Sequence, residues 1–305
     1  MGRIVVLSAP TNLGLRPPRP SAAPGCSKAP EALRRAGLFR SFVETGGIDA
    51  GAMIPGRYSA KVSPGKIRNE DEIISYSKKM EERIATILED GDAPLVVGGD
   101  CSVLLPVGLS LKKRGSYGLV HIDGHTDFRH PGNSSECASL AGEDLAAAVG
   151  LHYPRISDID GLGPYFEPGK AVHCGCRDED EHLSEASEKL RLVVPASDAM
   201  ADGMARTARR IVKALKDSGG TPYWLHVDLD VLDPSVMPAV DSPDDGGFDG
   251  KQLIELIGAL APGAMGADAT IFDPDLDPDG RYAAYVARVL SEGLRDLGGA
   301  RGDPV

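Results

Sequence analysis

Three short acidic segments limit what this chain can fold into: Gly98-Gly99-Asp100-Cys101-Ser102, Asp123-Gly124-His125-Thr126-Asp127 and Asp228-Leu229-Asp230-Val231-Leu232-Asp233-Pro234. Each follows directly on a short apolar run: Leu95-Val96-Val97, then Tyr117 to Ile122, then Tyr223 to Val227. Runs of that length, rich in Val and Leu and flanked by helical stretches, read as strands buried in a parallel sheet. Acidic residues placed directly after them lie at strand carboxyl ends, where open α/β sheets carry their sites. Carboxylates gathered there with an imidazole repel one another, and such a cluster is tolerable mainly when cations neutralise it.

Strand and helix patterns alternate along the rest of the chain. Strands are expected at 3–8, 94–98, 117–122, 171–176, 222–228 and 265–272. The clearest helix runs from about Glu70 to Asp90, with Ile73, Met80, Ile84 and Ile87 at helical spacing. Asn69 and Glu72 offer a capping box for it, and Gly91 a stop. Further helices are expected near 28–37, 102–113, 137–150, 181–190, 199–218, 249–261 and 281–297. This alternation implies crossover units and one mainly parallel sheet covered on both faces. No internal repeat or long linker interrupts it, so residues 1–305 read as a single domain, with a tail fraying after about 298. The Pro- and Gly-rich stretch from Asn12 to Pro30 reads as an ordered loop near a site or interface.

Bulk composition excludes several partners. The chain has 305 residues, 42% hydrophobic, and a formal net charge of −12 with no basic stripe. Nucleic acid and anionic membranes are therefore poor partners. No apolar run approaches the length of a membrane span, and the start reads as a first strand rather than a signal peptide. Five cysteines without paired spacing fit reduced thiols in the cytoplasm.

Asp123, His125 and Asp127 alternate past one strand end, and Asp228 and Asp230 repeat the spacing past another, so residues two apart can face the same way. Carboxylates with an imidazole suit hard or borderline divalent cations, above all Mn²⁺. Two such ions can hold a hydroxide between them as a nucleophile. Asp100 and Asp233 read as orienting or turn residues instead.

At these residues the chain resembles the ureohydrolases, the family of arginases, agmatinases and formiminoglutamases. The likeness covers the early Asn12-Leu13-Gly14 loop, all three acidic motifs and Gly175-Cys176-Arg177-Asp178. It implies a three-layer α/β/α fold with an eight-stranded, mostly parallel sheet. It also implies a two-manganese centre, with hydroxide on the metals attacking a guanidino or related C–N carbon of a small molecule, in a homo-oligomer (trimer or hexamer). On this chain Asp123 and Asp228 would bridge the ions, Asp127 and position 101 would complete one shell, and His125 and Asp230 the other. Asp127 would also act in catalysis, and Asp180 matches a substrate-amine contact.

Several positions depart from the family pattern. Cys101 stands where a His is usual, and a thiolate favours Zn²⁺ or Fe²⁺; a neutral thiol would leave one ion weakly held. A single-metal site of Asp123, His125 and Asp230, as in the related deacetylases, is then an alternative, as is a non-catalytic homologue. Ser139-Leu140-Ala141-Gly142 replaces a His-Gly motif, which leaves His130 as the nearest candidate proton shuttle or a plain loop His. Arg129 and Glu136 occupy the region that holds the substrate tail, and Arg129 can pair with a carboxylate. Ile271 takes the place of a guanidinium-binding Glu, with Asp273 nearby as a substitute carboxylate or a turn cap. These departures point away from free L-arginine as the substrate.

Overall fold

The computed structural model describes residues 2–299; the expected frayed tail lies largely outside them. Eight strands form one sheet: β1 (Ile4–Ala9), β2 (Ile48–Ala52), β3 (Ala93–Gly98), β4 (Gly118–Ile122), β5 (Ala171–Cys174), β6 (Leu192–Val194), β7 (Tyr223–Asp228) and β8 (Ala264–Thr270). Their order is β2-β1-β3-β8-β7-β4-β5-β6, and every pairing is parallel. All carboxyl ends therefore open on one edge. The helices are α1 (Ala29–Arg35), α2 (Leu38–Glu44), α3 (Glu70–Glu89), α4 (Leu104–Arg114), α5 (Asp144–Ala148), α6 (Pro154–Ser157), α7 (Leu183–Lys189), α8 (Ala196–Asp202), α9 (Met204–Ser218), α10 (Gly250–Leu260) and α11 (Arg281–Gly293).

Two apolar layers sandwich the sheet. One packs Val120, Ile122, Leu225 and Val227 against α1, α2 and the α9–α11 group. The other packs Leu119 and Trp224 with α3, α4 and α5. In α3 the expected stripe Ile73, Met80, Ile84 and Ile87 is buried, each side chain of that size contributing roughly 1.5–3 kcal/mol.

The structure differs from the sequence reading in four places. The edge strands β2 and β6 were not expected; both are short and partly exposed, so they lack the unbroken apolar run that marked the others. Residues 137–150 do not form one helix: a 3-10 turn at Leu140–Gly142 and the short α5 divide the segment. Asn69 does not cap α3. Its side chain instead accepts from Ser59 N (2.8 Å) and donates to Leu13 O (2.8 Å), tying two loops together. Finally, β8 ends at Thr270, and Ile271 turns out of it at φ 71°. A β-branched residue in the left-handed region is strained.

Candidate metal centre

The acidic segments meet at the carboxyl edge of the central strands. Asp228 ends β7, and its Oδ1 accepts from the Asp230 amide (2.8 Å). Asp230 accepts from the Gly124 amide (3.0 Å) and pairs with His125 Nδ1 (2.9 Å). Asp123, just past β4, accepts from the His125 amide (2.7 Å) through Oδ1, while its buried Oδ2 has no hydrogen-bond partner. Asp123, His125 and Asp230 can offer ligand atoms within 4.8 Å of one another. Cys101, fully buried, places Sγ 2.7 Å from Asp228 Oδ2 and 3.1 Å from Thr270 Oγ1.

Electrostatics show what such a gathering costs without a counter-ion. Burial first, and then Asp127, Asp230 and Asp228, push the Asp123 carboxyl well above the usual range. Asp127 is raised likewise by burial and by Asp144 beside it. Burial, with Asp228, also raises the Cys101 thiol, so it donates to Asp228 as a neutral group. His125 is lifted to about 10, chiefly by Asp230. Burial would raise Asp230 in turn, but the His125 charge holds it at about 2. Orphaned carboxylate oxygens and convergent oxygen, nitrogen and sulfur donors are what divalent cations satisfy, so these residues fit a metal centre.

The surroundings fix this arrangement. Asp100 caps the turn after β3 through Ser102 N (2.9 Å) and binds Gly14 N (3.2 Å) and Thr11 Oγ1 (3.1 Å). A Cβ on Gly14 would lie 2.6 Å from Asp100 Oδ1, so only glycine lets this early loop approach. Arg177 donates to the carbonyls of Gly175 (3.1 Å), Asp230 (3.0 Å) and Asp244 (2.7 Å), pinning the floor to the 234–248 loop.

Above the acids lies a cleft of about 300 Å³ lined by His125, Asp127, Arg129, Asp180, Asp228, Asp230 and Ile271, among others. A larger, more apolar groove of about 770 Å³ beside α1 and α11 shares no lining residue with it, and the chemistry lies in the smaller one. Arg129 lines the cleft while paired to Glu181 (3.0 Å). Asp180 does so while accepting from Thr126 N (2.8 Å) and Oγ1 (2.7 Å).

Three expected site residues stand apart from this cleft. His130 uses Nε2 on Glu185 (3.1 Å) and Nδ1 on the Gly132 amide (3.0 Å), so its ring is committed to loop structure. Glu136 is exposed on the same loop and does not line the cleft. Asp273 takes the turn-cap role, accepting from Asp275 N (2.8 Å) and Gly25 N (3.1 Å). Residues not singled out from sequence also belong here. Arg16, Asp241 and Asp244 line the cleft from two loops. His121, Asp144 and His226 lie buried beneath the acids, with ligand atoms within 4.8 Å of one another.

Fold and site together place a candidate metal centre at the carboxyl edge of a parallel α/β sheet. The arginase family model matches residues 3–294, and the chain belongs to that family. It is 25% identical to an arginase of Bacillus caldovelox over 298 residues, 95% of this chain and 97% of that one. It is 28% identical to the mitochondrial guanidino acid hydrolase of Homo sapiens over 223 residues, 71% and 58% of the two chains. It is 30% identical to the N(omega)-hydroxy-L-arginine amidinohydrolase of Streptomyces lavendulae over 169 residues, 55% and 56%. The solved B. caldovelox arginase shares the fold with a TM-score of 0.86 over the whole of both chains, at 23% identity. Arginase-family proteins are metal-dependent hydrolases of C–N bonds in guanidino compounds.

Proposed function

We propose that this chain hydrolyses a C–N bond of a small linear guanidino acid, with divalent metal held by Asp123, His125, Asp127, Asp228 and Asp230. The single observation that carries the reading is the convergence of these groups under one cleft, with the Asp123 Oδ2 left unpartnered. When bound, metal ions supply an activated water and polarise the carbon under attack. As the family resemblance implies, Asp123 and Asp228 would be the residues shared if two ions are held. Asp127 borders the cleft beside the other proposed ligands, where its carboxylate would be placed to relay a proton to the leaving amine.

The cleft has charges of both signs. Asp180, Asp241 and Asp244 suit a cationic head, and Arg16 and Arg129 suit a carboxylate tail. Ile271 on the wall offers no charge to a guanidinium, which favours substrates other than free L-arginine. Manganese is the proposed metal, since carboxylates dominate the donor set. All five cysteines are free and buried, which supports a reducing, cytoplasmic setting. No helix of the described residues is long and apolar enough to cross a membrane. A single domain and a trimeric or hexameric assembly complete the reading, with two-state unfolding and sedimentation as their checks.

The test is urea and ammonia release by Mn²⁺-loaded protein from guanidino acids, arginine, agmatine, N-hydroxyarginine and formimino compounds, side by side. Turnover fastest on a guanidino acid supports the proposal; no turnover of any member with metal bound overturns it.

A further inference from the structure

One step below the acids, a row of polar side chains crosses four neighbouring strands. His173 on β5 pairs in register with His121 on β4, His121 with His226 on β7, and His226 with Asp268 on β8. All four are fully buried. Asp144, at the start of α5, closes over this row and is also fully buried. Among these groups, His121 Nε2, His226 Nε2, both oxygens of Asp144 and, at the end of the row, His173 Nε2 have no hydrogen-bond partner. Buried polar groups are normally satisfied, so each orphan asks for an explanation.

We propose that His121, Asp144 and His226 hold a divalent cation of the zinc type in an inner site of their own, with Asp123 on its fourth side. The separations suit it. His121 Nε2 lies 3.5 Å from Asp144 Oδ1 and 3.7 Å from Asp123 Oδ2, and His226 Nε2 lies 3.9 Å from Asp144 Oδ2. Tetrahedral zinc with bonds of about 2.0–2.2 Å sets its ligand atoms roughly 3.3–3.6 Å apart. The contacts are too long for hydrogen bonds and close to the edges of such a tetrahedron.

Outer partners aim the imidazoles. His226 Nδ1 donates to Asp268 Oδ2 (2.5 Å), which leaves Nε2 as the lone-pair donor. Trp224 Nε1 holds the other Asp268 oxygen (2.5 Å), so the carboxylate cannot swing away. A metal-ligating His backed by a carboxylate is the usual construction of such centres. His121 Nδ1 lies 3.0 Å from His173 Nδ1. A cation on His121 Nε2 selects the tautomer in which His121 donates to His173. Two imidazoles and carboxylates in a closed, fully buried pocket suit four-coordinate zinc better than six-coordinate manganese or magnesium.

Asp123 is common to the inner site and the proposed hydrolytic centre, and His226 also offers a ligand atom within 4.8 Å of those of Cys101 and Asp228, so the test separates the two by the metal content of variants on either side. Full-length protein produced with zinc and dialysed against EDTA is analysed for metal, as wild type and as His226→Ser, Asp144→Asn and His125→Ala. We expect about one equivalent of chelator-resistant zinc in wild type and in His125→Ala, and at least a roughly tenfold loss in the other two. Cobalt-loaded wild type should show the intense visible absorption of tetrahedral Co²⁺, absent from His226→Ser. If the inner variants do not fold, zinc-edge X-ray absorption of wild type decides, with two imidazoles in the shell as the expected result. No retained ion in wild type, or equal zinc in wild type and folded His226→Ser, overturns the inner site. Neither result bears on turnover by the outer residues.

Discussion

The outer and inner halves of this site solve the same electrostatic problem differently. At the outer half, His125 and Asp230 answer each other at 2.9 Å, and Arg177 braces the floor. That half is ordered by its own charges, so it can stand open to a cleft. The inner half leaves His121, Asp144 and His226 buried with orphaned atoms. Burial pushes Asp144 up to about 6. Burial would lower His226, yet Asp268 lifts it to about 9 in the metal-free site, so a cation on Nε2 must displace a proton there. The outer half is thus partly self-paired, with Asp123 Oδ2 its orphan, whereas the inner half leaves ring nitrogens and a whole carboxylate without hydrogen bonds.

The largest effect is expected in the outer half. Asp228→Asn should abolish outer-site metal binding and activity together, since Asp228 touches Cys101 on one side and the Asp230 turn on the other. Wild-type metal content in that variant would break the shared-carboxylate account.

Next comes the wall of the cleft. A guanidinium beside Ile271 lacks a charge-assisted hydrogen bond worth roughly 1.5–3 kcal/mol, about a ten- to hundredfold loss of affinity. Mn²⁺-loaded protein should therefore turn over arginine well below a kcat/KM of about 10⁴ M⁻¹s⁻¹. Steady-state kinetics reaching that value would contradict the reading of Ile271.

Cys101→His should strengthen Mn²⁺ binding, by about tenfold on the scale of ligand-shell changes. The soft thiol, buried against Asp228, is a poorer partner for manganese than an imidazole. Unchanged affinity in a metal titration would mean that position 101 does not serve the ion.

Protonation separates the halves more gently. In metal-free protein the folded pKa of His125, about 10, lies above its unfolded value. Its stabilising contribution is fully present below about pH 6.5 and is lost as pH rises toward 10. Metal-free protein should melt lower at pH 10 than at pH 7, and His125→Ala should flatten that difference. An equal decline in both proteins would assign the loss elsewhere.

The smallest effect is expected at His130. With both ring nitrogens used on Glu185 and Gly132, His130→Ala should cost about 1 kcal/mol of stability. It should leave kcat nearly unchanged. A large fall in kcat with an unshifted melting temperature would restore a proton-transfer role.

Sequence pattern reached the outer half because the acids repeat at spacing two just past apolar runs. The same alternation, taken two residues back, leads from Asp123 to His121 and from Asp228 to His226. Those histidines sit inside Val- and Leu-rich strands and read there as core, which is why the inner half went unseen. Asp144 could not be inferred, because its approach depends on the 137–150 segment folding as a 3-10 turn followed by the short α5 rather than as one helix. The Cβ-free contact of Gly14 with Asp100 and the Arg177 clamp are long-range matters that no local pattern carries. The six inner strands were legible as apolar runs between helices, whereas β2 and β6, half-exposed at the edges, were not.

The central claim is that a metal centre lies at the carboxyl edge of β4 and β7. Anomalous diffraction at the manganese edge, from crystals equilibrated with Mn²⁺, tests it most directly. The account predicts a peak bounded by Asp123, His125 and Asp230, at ligand distances of about 2.0–2.3 Å. Saturating Mn²⁺ with no peak at that edge, in protein whose fold is intact, would contradict it.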